Sequence, residues 1–208
     1  MNSSDFITKL RELDLPVVSV EAASNIMQKS ANYTRQYMHR LVESEAMKRI
    51  EEGKYCFPDT DEYTIASRIV PSSYITGYAA LYHYRLTTQV TTVMQVIGPE
   101  YHRPLKLRNY TVEFSKVKRE FIYGFLQVKN GPIFAEPEKI FIDDLYLHGR
   151  QYYSEEFEYA MENEKLDIKK MLVYAGRSGN KTLEKRIVGL MNKFPPESES
   201  SSKRRMPA

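Results

Sequence analysis

Two serines, Ser19 and Ser30, constrain the first part of the chain more than any other feature. Each stands just before an apolar stripe at helical spacing. Ala22, Ala23, Ile26 and Met27 follow Ser19; Thr34, Met38 and Leu41 follow Ser30, with Tyr37 and Val42 at the margins. A serine so placed is a helix N-cap, because its hydroxyl accepts a hydrogen bond from a backbone N–H that the first turn leaves unpaired. Only Gln28 and Lys29 remain between the first stripe and the Ser30 cap. The spacing therefore predicts two helices joined by a tight turn, the later one running to about Ser44. Upstream, Phe6, Leu10 and Leu13 share one face of a helix over residues 1–14, capped by Ser3 or Ser4 and ended by Pro16. Val17 and Val18 then read as a short extended piece. Downstream, "AMKRIEEGKYCF" holds two strand-type runs around Glu52-Gly53, with Met47, Ile50, Tyr55 and Phe57 as apolar members.

Helix, short strand, helix, helix, hairpin is an order that resembles a winged helix-turn-helix. The chain departs from that pattern in having Gln28-Lys29 and Ser44-Glu45 where glycines are common. The resemblance implies that the third helix lies in a DNA major groove. Its outer side carries Ala31, Asn32, Arg35, Gln36, His39 and Arg40. Arg35 suits a bidentate contact to guanine, and Asn32 or Gln36 one to adenine. Lys29, Arg40 and Lys54 suit phosphates; Ser30 and His39 complete the candidate DNA-binding set. A solvated polar face is the competing explanation, and some winged helices bind proteins instead. The basic patch is local: residues 1–58 hold eight Lys+Arg and eight Asp+Glu, and the 208-residue chain carries a net charge of only +3.

Other chemistry is looked for without result. One cysteine, Cys56, excludes an internal disulfide and any multi-cysteine metal site, and reads as a small core residue. His39, His83, His102 and His148 show no metal-ligand spacing, and His83 between two tyrosines reads as a packed or interface residue. Asp59 and Asp61 superficially match a nucleotidyltransferase aspartate pair but lack a glycine-serine phosphate cradle upstream. Asp143 and Asp144 are adjacent, so on a helix they diverge by about 100°, and they read as a helix rim. No catalytic residue, metal or cofactor is expected, and the chain does not read as an enzyme. No signal-type or membrane-length apolar run occurs, so a cytoplasmic protein with no membrane partner is expected.

The expected class is α+β: the winged helix-turn-helix over 1–58, a linker over 59–71 with a short ordered piece, a mixed α/β domain over 72–194, and a disordered tail over 195–208. In the second domain "SSYITGYAALYHYRL" reads as a helix capped by Ser72 or Ser73, with Ile75, Tyr78, Ala79 and Tyr82 on its apolar face. "VTTVMQVIG", "NYTVEFSKV", "EFIYGFLQV" and "GPIFAE" read as strands of a small sheet. Pro137 opens a further helix, and others are expected near 154–163, 167–175 and 180–193.

Three stretches of this second region, "PSSYITGYAALYHYRLTTQV", "FAEPEKIFIDDLYLHG" and "MLVYAGRSGNKTLEKRIVGLM", in that order, resemble the signatures of AbiE-type antitoxins, predicted transcriptional regulators of viral-defence systems. With the N-terminal region the resemblance spans about residues 5 to 193. It implies a protein that binds repeats in its own operon's promoter as double-stranded DNA and represses that operon. It implies that the C-terminal domain counters a cognate nucleotidyltransferase-like toxin by direct binding, modification or indirect antagonism. Glu138 and Asp143, polar members of the most family-like stretch, are the candidates for toxin neutralisation; helix N-terminal charge and capping is their plain reading. The basic stretches 102–119 and 164–193 either widen a DNA footprint or meet an acidic or RNA-like partner. Two other readings stand beside this one: a stand-alone winged-helix regulator whose second domain senses a ligand or dimerises, and a nuclease acting on the DNA it binds.

Overall fold

The computed structural model describes residues 2–191; the tail expected from 195 lies outside the described residues. Among the described residues the chain is mixed α+β with two sheets. It begins with α1 (Ser3–Glu12), β1 (Val17–Ser19), α2 (Val20–Met27), α3 (Ala31–Glu43), β2 (Lys48–Glu51) and β3 (Lys54–Cys56). The cap of α1 is Asn2, whose side chain accepts from the Asp5 N–H at 2.8 Å, rather than Ser3 or Ser4. The helix also closes earlier than Pro16, with Leu13 as C-cap. Ser19 caps α2 and Ser30 caps α3, each a contribution of about 1 kcal/mol. Gln28 takes the left-handed conformation that ends α2.

The three strands pair antiparallel in the order β1-β3-β2, with Val18 opposite Tyr55 and Lys48 opposite Cys56. Gly53, at φ +73°, makes the hairpin turn. The helices bury Phe6, Leu10, Ala23, Met38 and Leu41 against Val18, Met47 and Phe57. Complete burial of a side chain such as Met38 contributes about 1.5–3 kcal/mol.

The stretch expected as a linker contains α4 (Glu62–Arg68), which belongs to the second core. Asp61 caps it through the Thr64 N–H at 2.9 Å, and Ala66, Ile69 and Val70 are buried. Next come β4 (Tyr74–Thr76), α5 (Gly77–His83), β5 (Val93–Gly98), β6 (Leu105–Lys106), β7 (Thr111–Lys116), β8 (Phe125–Gln127), β9 (Ile133–Ala135), α6 (Pro137–His148), α7 (Ser154–Glu162), α8 (Ile168–Arg177) and α9 (Lys181–Met191). The strands form one sheet in the order β6-β7-β5-β4-β9-β8, parallel where β5 meets β7 and β4 meets β9.

Two expectations for this region are corrected. Residues 74–76 are a central strand, not the first turn of a helix capped by Ser72 or Ser73. Only at Gly77 does the helix start, at φ +66°, where a Cβ would come 1.9 Å from Gln95 Oε1. "EFIYGFLQV" is not one strand: a 3-10 turn (Arg119–Phe121) precedes the short β8.

The two cores meet through polar junctions. Asp14, after α1, accepts from Arg68 on α4 at 3.0 Å and from Gln127 and the Asn130 N–H at the β8–β9 hairpin. Glu51, at the end of β2, accepts from His102 at 3.0 Å and pairs with Lys54 at 3.1 Å and Arg103 at 3.7 Å. Among the described residues no helix is long and apolar enough to cross a membrane.

Candidate nucleic-acid interface

The N-terminal face is organised by α3. Its inward side is Thr34, Tyr37, Met38 and Leu41, all buried. That leaves Asn32, Arg35, Gln36, His39 and Arg40 exposed, together with Lys29 and Ser30 just before the helix. No acid appears on α3 before Glu43. Arg35 donates to Asn32 at 3.1 Å, one turn away, which aligns the two side chains. Arg35, Gln36, His39 and Arg40 line a shallow depression of about 570 Å³. His39 pairs with Glu43 at 3.4 Å, and Arg40 lies over the Tyr37 ring at 5.9 Å. Ser30 is occupied by capping, its hydroxyl 3.4 Å from the Tyr33 N–H.

Lys54 is less available than its place in the hairpin implied. Its side chain is 25% exposed, and its ammonium is held by Glu51. Lys48 and Arg49 on β2 are the exposed cations of this hairpin and were missed; Lys48 is held by the Pro58 carbonyl at 2.7 Å, and the adjacent basic pair in "KRIE" is the signal that could have found them. Tyr33, stacked on Tyr37 and 43% exposed, is a second surface residue that the helical spacing did not single out.

The second pair of candidates, Glu138 and Asp143, turns inward. Both are buried, so neither is placed to touch a partner directly. Asp143 accepts from Tyr74 OH at 3.2 Å, from Thr76 Oγ1 at 3.0 Å and from the Lys139 ammonium. Lys139 is itself wholly buried, donates to Tyr74 OH at 2.8 Å, and lies 3.7 Å from the Phe121 ring centroid and 4.8 Å from that of Tyr123. Burial pulls the Lys139 pKa below its ordinary value against the attraction of Asp143. Glu138 accepts from the Asp167 N–H at 3.0 Å and pairs with Lys170 at 3.1 Å, tying α6 to α8. The physical reason for the inward turn is α6 itself, buried continuously from Glu138 to Leu145. Its polar residues therefore find partners inside.

The aspartates, the cysteine and the histidine weighed above for chemistry sit in structural roles. Asp143 and Asp144 diverge as helical spacing requires, but both are interior rather than at a rim: Asp144 holds His148 at 2.8 Å and the Tyr152 N–H at 2.8 Å. Asp59 pairs with Arg11 at 3.3 Å while Asp61 caps α4, so the two do not form a joint site. Cys56 is buried, and burial pushes its thiol up to about 11. His83 stacks on Phe134 with ring centroids 4.1 Å apart. In the basic stretch 102–119, Arg103, Lys106, Arg108, Lys116, Lys118 and Arg119 are exposed. No protein-family model matches the chain, and no curated protein matches it.

Proposed function

We propose that residues 2–58 form a winged helix-turn-helix that reads double-stranded DNA through α3. We propose further that the protein acts in the cytoplasm as an antitoxin and autorepressor of a toxin–antitoxin operon. The observation that carries the DNA-binding reading is the acid-free exposed face Asn32-Arg35-Gln36-Arg40, held rigidly by the buried Thr34, Met38 and Leu41. Side chains fixed on a packed helix hold their geometry toward base edges, whereas loop residues do not. The hairpin bearing Arg49 would then lie against the DNA backbone.

The antitoxin part rests on the resemblance of three segments. These are β4–α5, β9–α6 and α8–α9, and they pack into one core around Asp143 and Glu138. In this reading those two carboxylates hold the scaffold, and a direct contact with a nucleotidyltransferase-like toxin falls to surface residues.

The test has two arms. Binding to DNA upstream of the protein's own gene is measured for wild type, Arg35→Ala and Gln36→Ala. Each substitution should cost on the order of 1–3 kcal/mol on the operator and far less on unrelated DNA. Wild-type binding by both would remove α3 as the reader. Co-expression with the neighbouring reading frame tests the other part. Protection by a folded 59–208 fragment but not by 1–58 supports it; the reverse overturns it.

A further inference from the structure

A broad groove of about 1080 Å³ opens on the second domain between the start of α4, the end of α5 with its following loop, β9 and α7. Its walls are rings: Tyr63, Tyr82, His83, Phe134 and Tyr159. Tyr82 is 49% exposed and Tyr159 is 43% exposed, so flat aromatic faces are left bare to solvent. Such faces carry the negative side of the ring quadrupole and attract cations. Tyr159 already shows this property, because the Lys165 ammonium lies 4.6 Å from its ring centroid. That lysine is itself satisfied by Tyr159 OH at 3.1 Å and the Arg85 carbonyl at 3.3 Å.

The charged lining points the same way. Three carboxylates, Asp61, Glu155 and Glu156, face one guanidinium, Arg85. Asp61 is engaged, both oxygens holding Thr64. Glu156 accepts one hydrogen bond, from Thr87 at 3.3 Å. Glu155, exposed in the first turn of α7, has no hydrogen bond or ion pair among the described residues. Burial against its neighbours lowers the pKa of His83, which disfavours a compensating imidazolium there.

We propose that this groove binds a small organic cation with a ring-bearing apolar body, the body lying against Tyr82, His83 and Tyr159 and the positive charge facing Glu155 and Glu156. An anionic ligand would meet Glu155 and Glu156, against which stand Arg85 and the Lys165 ammonium already held by Tyr159 and the Arg85 carbonyl. A neutral one would leave the two carboxylates without a ligand counter-charge. The volume lies just above the usual range for small-molecule pockets, about 300–1,000 Å³. This site goes beyond the DNA-binding reading and does not depend on it, because its residues are all outside α3 and the β2–β3 hairpin.

The experiment compares tetraphenylphosphonium with tetraphenylborate, which match in size and shape and differ in charge sign. Binding to the full chain is read by calorimetry and by quenching of tyrosine emission, which no tryptophan obscures. The cation should bind in the micromolar range and the anion at least about tenfold more weakly. Glu155→Gln/Glu156→Gln should weaken the cation about tenfold and level the two probes. Tyr82→Ala should weaken the cation while leaving the melting temperature near wild type. Single Glu155→Gln, at an exposed residue without a partner, serves if the double variant melts early. Absence of cation binding, equal affinity for the two probes, or cation affinity unchanged by the folded variants overturns the proposal.

Discussion

Asp143→Ala should destabilise the protein by about 3–5 kcal/mol, the usual cost of breaking a buried ion pair from one side. The size follows from what is left behind. Lys139 is 0% exposed and Asp143 1% exposed, so water cannot replace the missing carboxylate without opening the domain. The ammonium would keep Tyr74 OH as its hydrogen-bond acceptor, with the faces of Phe121 and Tyr123 beside it. It could shed its proton instead, at about 1.4 kcal/mol for each unit of pKa it must fall. Lys139→Met should cost less, because Asp143 would still accept from Tyr74 and Thr76. At roughly 2–4 °C per kcal/mol for a chain of this length, Asp143→Ala should melt roughly 6–20 °C early. Urea denaturation and calorimetry on the two single variants and the Lys139→Met/Asp143→Ala double variant complete the cycle. The double variant should cost less than the sum of the singles by about 1.5 kcal/mol or more. Additivity within about 0.5 kcal/mol would refute the coupling, and so would a near wild-type melt of Asp143→Ala. Any loss of the proposed toxin protection in Asp143→Ala should track the loss of folded protein rather than appear in a fully folded variant.

Arg49→Ala should reduce the slope of log affinity for DNA against log salt by about 0.9, and Lys54→Ala by less, because Glu51 already holds that ammonium; the opposite order in a salt titration would reverse the two assignments. Burial alone would raise the pKa of Asp14, but hydrogen bonds from Asn130, Arg68 and Gln127 outweigh it and hold the carboxyl low; at Glu51, His102 and Lys54 do the same. A lowered folded pKa contributes stability above the unfolded values of about 3.9 and 4.3, and that stability is lost as pH falls through the folded ones. The advantage of wild type over Asp14→Asn/Glu51→Gln in urea denaturation should therefore be full near neutrality and fade on acidification below about pH 4; an advantage that persists in acid would refute the sign. Gly77→Ala should cost about 1–3 kcal/mol from left-handed backbone strain and the displacement of Gln95 from Tyr153 OH; a neutral thermal melt would show that the corner can relax.

How much of this was legible in the sequence depended on how local the signal is. Ser19, Ser30 and the Thr34-Met38-Leu41 stripe lie within single helices, so caps and core positions could be read directly. Residues 74–76 could not, because three residues carry no period of their own and the alanine-rich run after them is helical. Their strand conformation comes from pairing with β5 and with β9, far along the chain. The buried face of α4 was hidden for a similar reason: Pro58, Asp59 and Asp61 read as a loop, and what covers Ala66 and Ile69 is distant in sequence. Glu138 and Asp143 were singled out as the polar members of the most family-like stretch, and charged residues are seldom fully buried. Their partners Tyr74, Thr76 and Asp167 come from other elements, and Lys139 gave no hint of a buried ammonium. The aromatic groove was invisible for the same reason, since its lining is drawn from four separate stretches of chain.

A ribosome releases the chain amino end first. The elements from α1 to β3 hold a full core that ends at Phe57, so this half can close early in synthesis. Strand β4 cannot follow directly, because β9 must pair with it, and Asp143 stands 69 residues beyond Tyr74. The DNA-reading half proposed above would thus mature while the other half is still an open chain. Nascent chains arrested just after β5 should show a protease-resistant first half and a sensitive second one. Equal resistance of both would mean that β4 and β5 close without β9. If the proposed division of labour holds, a prematurely terminated product would carry the DNA-reading half alone, occupying the promoter without protecting the cell.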